Sequence, residues 1–542
     1  MLRKLNQVSY EVQIGRRVST LHINLLRPWI EREAIPNMTQ QVNVTLIANP
    51  CEASYEMLPG LDDDDQSGQP EIGLSLSIPQ RETLYKICSD YADVFREKLG
   101  RTHLLEHKII LKDENPCVSR CYRIPDSVRE EVAKQIQIML QDGVIRPSAS
   151  NWRSPLVCVK KPGNRGLRIA ADLRLVNEKT LGDEYPAPDA REILDRSARA
   201  KFISTVDLKN AFWKVPLSES SRKYTAFEAG HKLWEFCVAP MGAKNSSKTF
   251  QRLMDMVLEG AEEFAAAHID DIIIFSESWE DHVVHLKEVC ERLRKSGLTA
   301  KLAKCQFAKP SLKVLGHIIE NGTIRPDDEK VQCIKDCPIP RTKRQVRAFI
   351  GMASYHRHFI KSFSEIAWPL TNLTKKSQPD KIVFGPDELR AFNELKTALC
   401  TAPCLVAPDP KKPYILHVDS SNFAAGSCIL QLDDNGLERP IAYASRKLLP
   451  NQVNFSVVEK EAHAIIYFLS YFEPYLYGNK ITVKSDHHSL QWLKSFQNSN
   501  PRLLRWSMVL ARFDVQIVYV RGVQNGVADF LSRPFQHQPG GQ

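Results

Sequence analysis

Two neighbouring carboxylates in an apolar setting, Ala267-His268-Ile269-Asp270-Asp271-Ile272-Ile273-Ile274-Phe275, are the residues best suited to chemistry in this chain. Ile272 to Phe275 reads as a buried strand and the segment through Ala265 and Ala266 as its partner, so a hairpin would carry the acids at its tip. Acids at the edge of a hydrophobic hairpin cost desolvation energy, which a bound divalent cation would offset. Asp is also a common turn residue, and on this segment alone a plain turn and a metal site stand level. Phe202-Ile203-Ser204-Thr205-Val206-Asp207-Leu208 repeats the pattern: a strand of small and β-branched residues delivers Asp207, and the chain then turns at Asn210-Ala211-Phe212. A third carboxylate on its own strand is what a two-metal site would need. Two Mg²⁺ ions about 4 Å apart can clamp an attacking hydroxyl and a leaving pyrophosphate oxygen only where several carboxylates converge.

Other elements must position these acids. Ser154 to Asp172 reads as a hairpin turning at Pro162-Gly163-Asn164, with Lys160, Lys161, Arg165 and Arg168 crowded around the turn. Four cations repel unless an anion sits among them; a triphosphate would suit, and solubility alone would also account for them. Leu84, Ile87, Cys88, Tyr91 and Phe95 fall at helical spacing. A second helix starts at Pro125-Asp126, carries Val128, Val132, Ile136, Met139 and Leu140 on one face and stops at Gly143.

At 542 residues the chain holds several domains, and a net charge of +9 is mild for that length, suggesting a polyanionic partner without proving one. No apolar run is long enough to span a bilayer and no secretory signal opens the sequence, so its thirteen cysteines are expected as free thiols in a reducing compartment. The pairs Cys117/Cys121, Cys333/Cys337 and Cys400/Cys404 lack the spacing of zinc knuckles, and no structural zinc is expected. Before Ile78 the chain is poorly committed to a core: a β-like stretch, Glu11 to Leu26, precedes polar sequence with the acidic run Asp62 to Asp65.

The ordered set Ser154-Pro155 with Lys161 and Arg168, Val206-Asp207-Leu208, Pro240-Met241-Gly242-Ala243-Lys244-Asn245 with Thr249-Phe250-Gln251-Arg252-Leu253-Met254, Ile269-Asp270-Asp271 and Leu315-Gly316-His317 resembles the reverse transcriptase of gypsy-type LTR retrotransposons. The resemblance runs from about Ile78 to Pro534. It implies an α+β, right-hand polymerase of fingers, palm and thumb, followed by a connection and an RNase H-like α/β domain with a mixed five-strand sheet. It also implies that Asp207, Asp270 and Asp271 bind two Mg²⁺ ions, with Mn²⁺ as a substitute. One metal would activate the primer 3′-hydroxyl and the other would hold the triphosphate. Lys161 and Arg168 would hold the triphosphate of the dNTP, Phe212 would exclude a ribose 2′-hydroxyl, and Gln251 would lie near primer and template.

A second acidic set, Asp419, Glu461, Asp486 and Asp529, resembles in order the RNase H domain fused behind such polymerases, whose two Mg²⁺ ions activate a water against an RNA phosphodiester. RNA in the hybrid would be told from DNA through its 2′-hydroxyls. The implied partners are RNA and DNA template-primers, RNA/DNA hybrids and dNTPs, with no membrane. The implied setting is intracellular: a cytoplasmic retroelement particle, with the nucleus as a second site. Residues 22–29 are similar to the tail that ends the small β-barrel of some retroelement integrases, as if integrase preceded polymerase in a longer polyprotein. The expected organisation is an integrase remnant at 1–33, an acidic linker at 34–77, fingers and palm at 78–300, thumb and connection at 301–383, the RNase H-like domain at 384–534 and a disordered tail at 535–542.

Four positions depart from the family pattern. His268 stands where a Tyr is usual, Met241 replaces a Phe, and Ser247 and Lys248 replace a Pro and an Ala. All seven acids are kept. The sequence therefore reads as an RNA- and DNA-directed DNA polymerase with RNase H activity; the alternative is an inactive or co-opted copy that folds and binds primed nucleic acid without synthesis.

Overall fold

The computed structural model describes residues 69–96, 98–160, 167–208, 210–421, 423–485 and 501–520, with backbone alone at 160, 168 and 501–504 and for the strands at 3–4, 9–14 and 17–22. Two units divide the chain, 1–55 and 56–542. The first contains an antiparallel sheet of Arg3–Lys4, Ser9–Ile14 and Arg17–His22. Residues 23–29, on which the integrase comparison leans, lie outside the described residues.

The larger unit is built on a five-stranded sheet in the order Ala265–His268, Asp271–Ser276, Phe202–Asp207, Gln306–Lys309, Glu71–Ile72. Its second strand is apolar from Ile272 to Phe275 because both faces are covered there. Ile272 and Ile274 enter a core with Phe250, Leu253, Met254 and Leu286, while Ile273 and Phe275 enter another with Ile193, Leu194 and Leu312. Helix Ser246–Leu258 thus lies on one face of the sheet and helix Ala190–Arg199 on the other. Two of the expected boundaries shift here. Glu71–Ile72 pairs parallel with Gln306–Phe307, so part of the expected linker and part of the expected thumb belong to the acid-bearing sheet.

The cationic hairpin is present as Ser154–Lys160 against Leu167–Ala171, in a second five-stranded sheet. The expected helices are Ile78–Asp90 and Arg129–Gln141, the latter ending before Gly143 at φ 63°. After the acid-bearing sheet, Ser311–Val314, His317–Glu320 and Thr323–Pro326 form a meander, with Leu405–Val406 added at its edge. Helices Lys343–Tyr355 and Pro386–Cys400 share one core, with the Phe349 and Phe392 rings 4.5 Å apart. Helix Pro386–Cys400 therefore packs with the connection, Leu405 and Val406 pack against both the meander and the last sheet, and that sheet starts at Tyr414. Its order is Glu438–Lys447, Ala424–Leu432, Tyr414–Ser420, Lys480–Ser485, Asp514–Tyr519, the first three antiparallel and the last two joined in parallel.

His282, fully buried on helix Trp279–Lys295, ties the two acid-bearing strands from behind: Nε2 meets Ser204 Oγ at 2.7 Å and Nδ1 meets Ser276 Oγ at 2.9 Å. Burial pushes its imidazole down to about 3, and pushes His107 and His317 down to about 4. Each is neutral when folded but takes up a proton near pH 6.5 when unfolded, so the stability each contributes is complete above pH 6.5 and is lost as pH falls toward its folded value. At 1.36 kcal/mol per unit, the loss is roughly 3 to 5 kcal/mol per histidine at the acid end of that window. Urea melts are therefore expected to show unfolding free energy dropping steeply from pH 6.5 to 4; a flat profile would contradict neutral burial.

Candidate active site

Asp207 and Asp271 are direct cross-strand partners, and Asp271 in turn faces His268 across the hairpin. Side chains opposite one another share a face, so His268, Asp271 and Asp207 form one row over three strands, with neighbouring Cα atoms about 5 Å apart. The turn itself is Ile269-Asp270, one residue earlier than a tip at Asp270-Asp271, so Asp271 is already in the ladder. Leu208 N donates to Asp270 O at 3.4 Å and Lys301 N to Asp207 O at 3.0 Å, which pins both acid-bearing backbones.

Turn chemistry singles this hairpin out. Gly230-His231, Leu315-Gly316 and Asn321-Gly322 also join paired strands, each with positive φ at both positions and a glycine among them. The acidic turn has no glycine and holds the β-branched Ile269 at φ 57°, a conformation costing on the order of 1–3 kcal/mol. The compensation comes from Gln251 on helix Ser246–Leu258. Its Oε1 accepts from Ile269 N at 2.9 Å, and its Nε2 donates to Ala267 O at 3.1 Å and to Asp255 Oδ1 at 2.8 Å. Gln251 is 3% exposed. Its amide is spent on the turn and on Asp255, so it braces the acid-bearing hairpin.

Burial, then the charges of Asp270 and Asp207, push the Asp271 carboxyl up to about 6, with Lys304 acting against them. Mutual repulsion among three carboxylates is what a divalent cation relieves, so the donor set fits one. Among the described residues, no group of three or more His, Cys, Asp or Glu side chains closes into a metal cage. An open rim of acids suits Mg²⁺, which usually takes only one or two carboxylates and completes its shell with water and substrate phosphate. Lys304, in the turn Leu302–Lys304, was not legible as a site residue because it reaches the acids through strand pairing of the segment that follows it.

Phe212 is half-buried, packed edge-on against the fully buried Phe250 with ring centroids 5.9 Å apart. Asn210, at φ 50°, turns the chain into the short helix that carries it. Lys161 and the Arg168 side chain lie outside the described residues, although Arg168 sits in the hairpin ladder opposite Val159.

In the last sheet, Asp419 is near the end of strand Tyr414–Ser420, and Glu461 comes from helix Val457–Tyr471. Glu461 Oε1 accepts from Ser420 N at 3.1 Å and from Ser420 Oγ at 2.9 Å, so Glu461 is held at the strand end that carries Asp419, and both acids are buried. Lys484 pairs with His417 in the parallel neighbour strand. Asp486 and Asp529 lie outside the described residues.

Residues 159–319 match the family model described as reverse transcriptase (RNA-dependent DNA polymerase), and residues 409–513 match the RNase H-like domain found in reverse transcriptase. The retrovirus-related Pol polyprotein from transposon opus of Drosophila melanogaster is 36% identical over 471 residues, covering 84% of this chain and 47% of that protein. The chain is similar, over its reverse transcriptase and RNase H-like regions, to Pol polyproteins of gypsy-type transposons. The corresponding polyprotein from transposon 297 of the same organism is 35% identical, over 81% of this chain and 41% of its own length. The Tf2-3 polyprotein of Schizosaccharomyces pombe is 30% identical, over 97% of this chain and 40% of its own length. The chain thus spans less than half the length of the curated relatives it matches.

Among solved structures, the foamy viral protease-reverse transcriptase in complex with dsDNA superposes with a TM-score of 0.72 at 24% identity, covering 82% of this chain and 94% of that one. The same viral protein in complex with an RNA/DNA hybrid gives 0.68 at 23%, over 86% and 63%. The fold is therefore a right-hand polymerase followed by a connection and an RNase H-like domain. Both domain families depend on divalent metals. No helix among the described residues is long and apolar enough to cross a membrane.

Proposed function

We propose that this chain is an RNA-directed and DNA-directed DNA polymerase that also cleaves the RNA strand of RNA/DNA hybrids. The observation that carries the reading is the row of Asp207 and Asp271 on paired strands, with Asp270 in the adjoining turn. When bound, two Mg²⁺ ions would acidify the primer 3′-hydroxyl and neutralise the charge developing on the triphosphate. Asp207 and Asp271, side by side on paired strands, would hold them, with Asp270 in the adjoining turn. Gln251 fixes the turn, so the acids need no rearrangement as substrate arrives. Phe212, backed by Phe250, is a rigid wall against which a deoxyribose fits and a 2′-hydroxyl would clash. Lys161 and Arg168 take the triphosphate. In the second centre Asp419, Glu461, Asp486 and Asp529 would hold the cations that supply the chemistry for hydrolysis of the RNA phosphodiester. The setting is intracellular, in a cytoplasmic particle or the nucleus.

Extension of a DNA primer on an RNA template with dNTPs and Mg²⁺, beside an Asp270→Asn control, tests the reading; synthesis no greater than the control would overturn it. His268 is expected to limit the rate, because its imidazole occupies the row of acids where a larger aromatic ring would pack against the primer end. His268→Tyr should raise extension severalfold, and an unchanged or lower rate would refute a limiting role for His268.

A further inference from the structure

Helix Ala190–Arg199, on the face of the acid-bearing sheet opposite helix Ser246–Leu258, buries an ion pair: Arg191 Nε lies 3.0 Å from Asp195 Oδ1. Neither residue takes part in the chemistry above. Each is completed from the far side of the molecule. Tyr475, beyond helix Val457–Tyr471 of the RNase H-like domain, donates its hydroxyl to Asp195 Oδ2 at 2.7 Å. Arg191 Nη2 donates to the carbonyl of Ile441 at 2.9 Å, in strand Glu438–Lys447 of the last sheet.

The surroundings of this cluster are apolar. Ile193, Leu194 and Ala198 of the same helix share a core with Cys428, Leu430 and Tyr443 of the RNase H sheet, and with Ile273 and Phe275 of the strand that begins at Asp271. Side-chain packing is thus continuous from the acid-bearing strand to the last sheet. At the far end of the seam the connection adds its own bonds: Ser364 N donates to Ser445 Oγ and Ser364 Oγ to Ser445 O, both at 2.8 Å, and Arg357 Nη2 donates to Ser445 O at 3.0 Å.

An apolar seam holds two bodies together but tolerates sliding, because dispersion and burial are non-directional. A buried ion pair adds little to stability, and its best-attested use is to specify register. We propose that the Arg191–Asp195–Tyr475 cluster is a positioning clasp that registers the RNase H-like domain on the back of the polymerase sheet, so that a nucleic acid held at the first centre meets the second at one fixed distance. The clasp rests on the reading that both centres act on the same hybrid.

The test uses the full chain with Tyr475→Phe, which removes one hydroxyl, and Asp195→Asn, which keeps the side-chain shape. A long hybrid with the DNA 3′ end seated in the polymerase centre and the RNA labelled at its 5′ end reports the cut position. Wild type is expected to cut within a narrow band; both variants should spread cleavage over several neighbouring positions, while cutting a hybrid too short to engage both centres at the wild-type rate. Retention of the narrow band in both variants would overturn the clasp. Trypsin cleavage after the exposed Lys411, in the segment entering the last sheet, is a readout independent of either activity. Loosening of the seam should speed it about tenfold in the variants. If wild type neither extends nor cleaves, the functional reading fails while the proteolysis still decides the clasp: equal rates overturn it.

Discussion

Asp271→Asn is expected to abolish DNA synthesis, lowering kcat on the order of 10³-fold, about 4 kcal/mol of transition-state stabilisation, while RNase H cleavage of a preformed hybrid stays at the wild-type rate. The amide keeps the size of the side chain and its place in the ladder opposite Asp207, but it cannot neutralise a divalent cation. The loss falls on charge stabilisation rather than on folding. Asp271 is already crowded by burial and by the charges of Asp270 and Asp207, so the neutral variant should melt at or above the wild-type temperature in metal-free buffer at pH 8. Added Mg²⁺ should raise the melting temperature of wild type more than that of the variant. Glu461→Gln should give the mirror image, with synthesis intact and RNase H lost, because that acid hydrogen-bonds Ser420 at the end of a strand in the last sheet, away from the polymerase acids. Synthesis within tenfold of wild type in Asp271→Asn would remove this carboxylate from the chemistry.

The acids were legible because strand logic is local. A run such as Ile272-Ile273-Ile274-Phe275 has no helical period, and its β-branched residues fit a strand covered on both faces. What the run could not reveal was which residue forms the turn, since that depends on pairing register. The hairpin closes at Ile269-Asp270, against the usual preference for glycine or asparagine at positive φ. Non-local pairings were harder still. Glu71–Ile72 is two residues long and finds its partner at Gln306–Phe307; nothing in its composition separates it from the polar segment before it. Leu405–Val406 joins Thr323–Pro326 in the same way, which is why the connection reaches further along the chain than its helices suggested. Lys304 escaped notice for the same reason. Nothing local marks Arg191, Asp195 and Tyr475, and only the docking of two sheets turns them into a buried cluster.

Gln251 is the sharpest instance of a side chain whose role depends on tertiary structure, and its replacement should have the second-largest effect. Gln251→Met keeps the volume and removes both hydrogen bonds to the hairpin, leaving Ile269 N without its acceptor beneath the turn. An unmet buried amide costs about 1–3 kcal/mol, and the positive φ of Ile269 then has nothing to hold it. The turn that carries Asp270 should relax, and misplacement of about 1 Å at a reacting centre costs on the order of 10²-fold in rate. The expected signature is kcat down by about that factor with KM for template-primer and dNTP nearly unchanged. A raised KM with unchanged kcat would instead return Gln251 to direct contact with the nucleic acid. Adding Ile269→Gly to Gln251→Met separates strain from positioning. Glycine adopts the left-handed conformation without cost, so the double variant should regain thermal stability. It should not regain kcat, because a glycine turn released from Gln251 no longer aims Asp270 at one place.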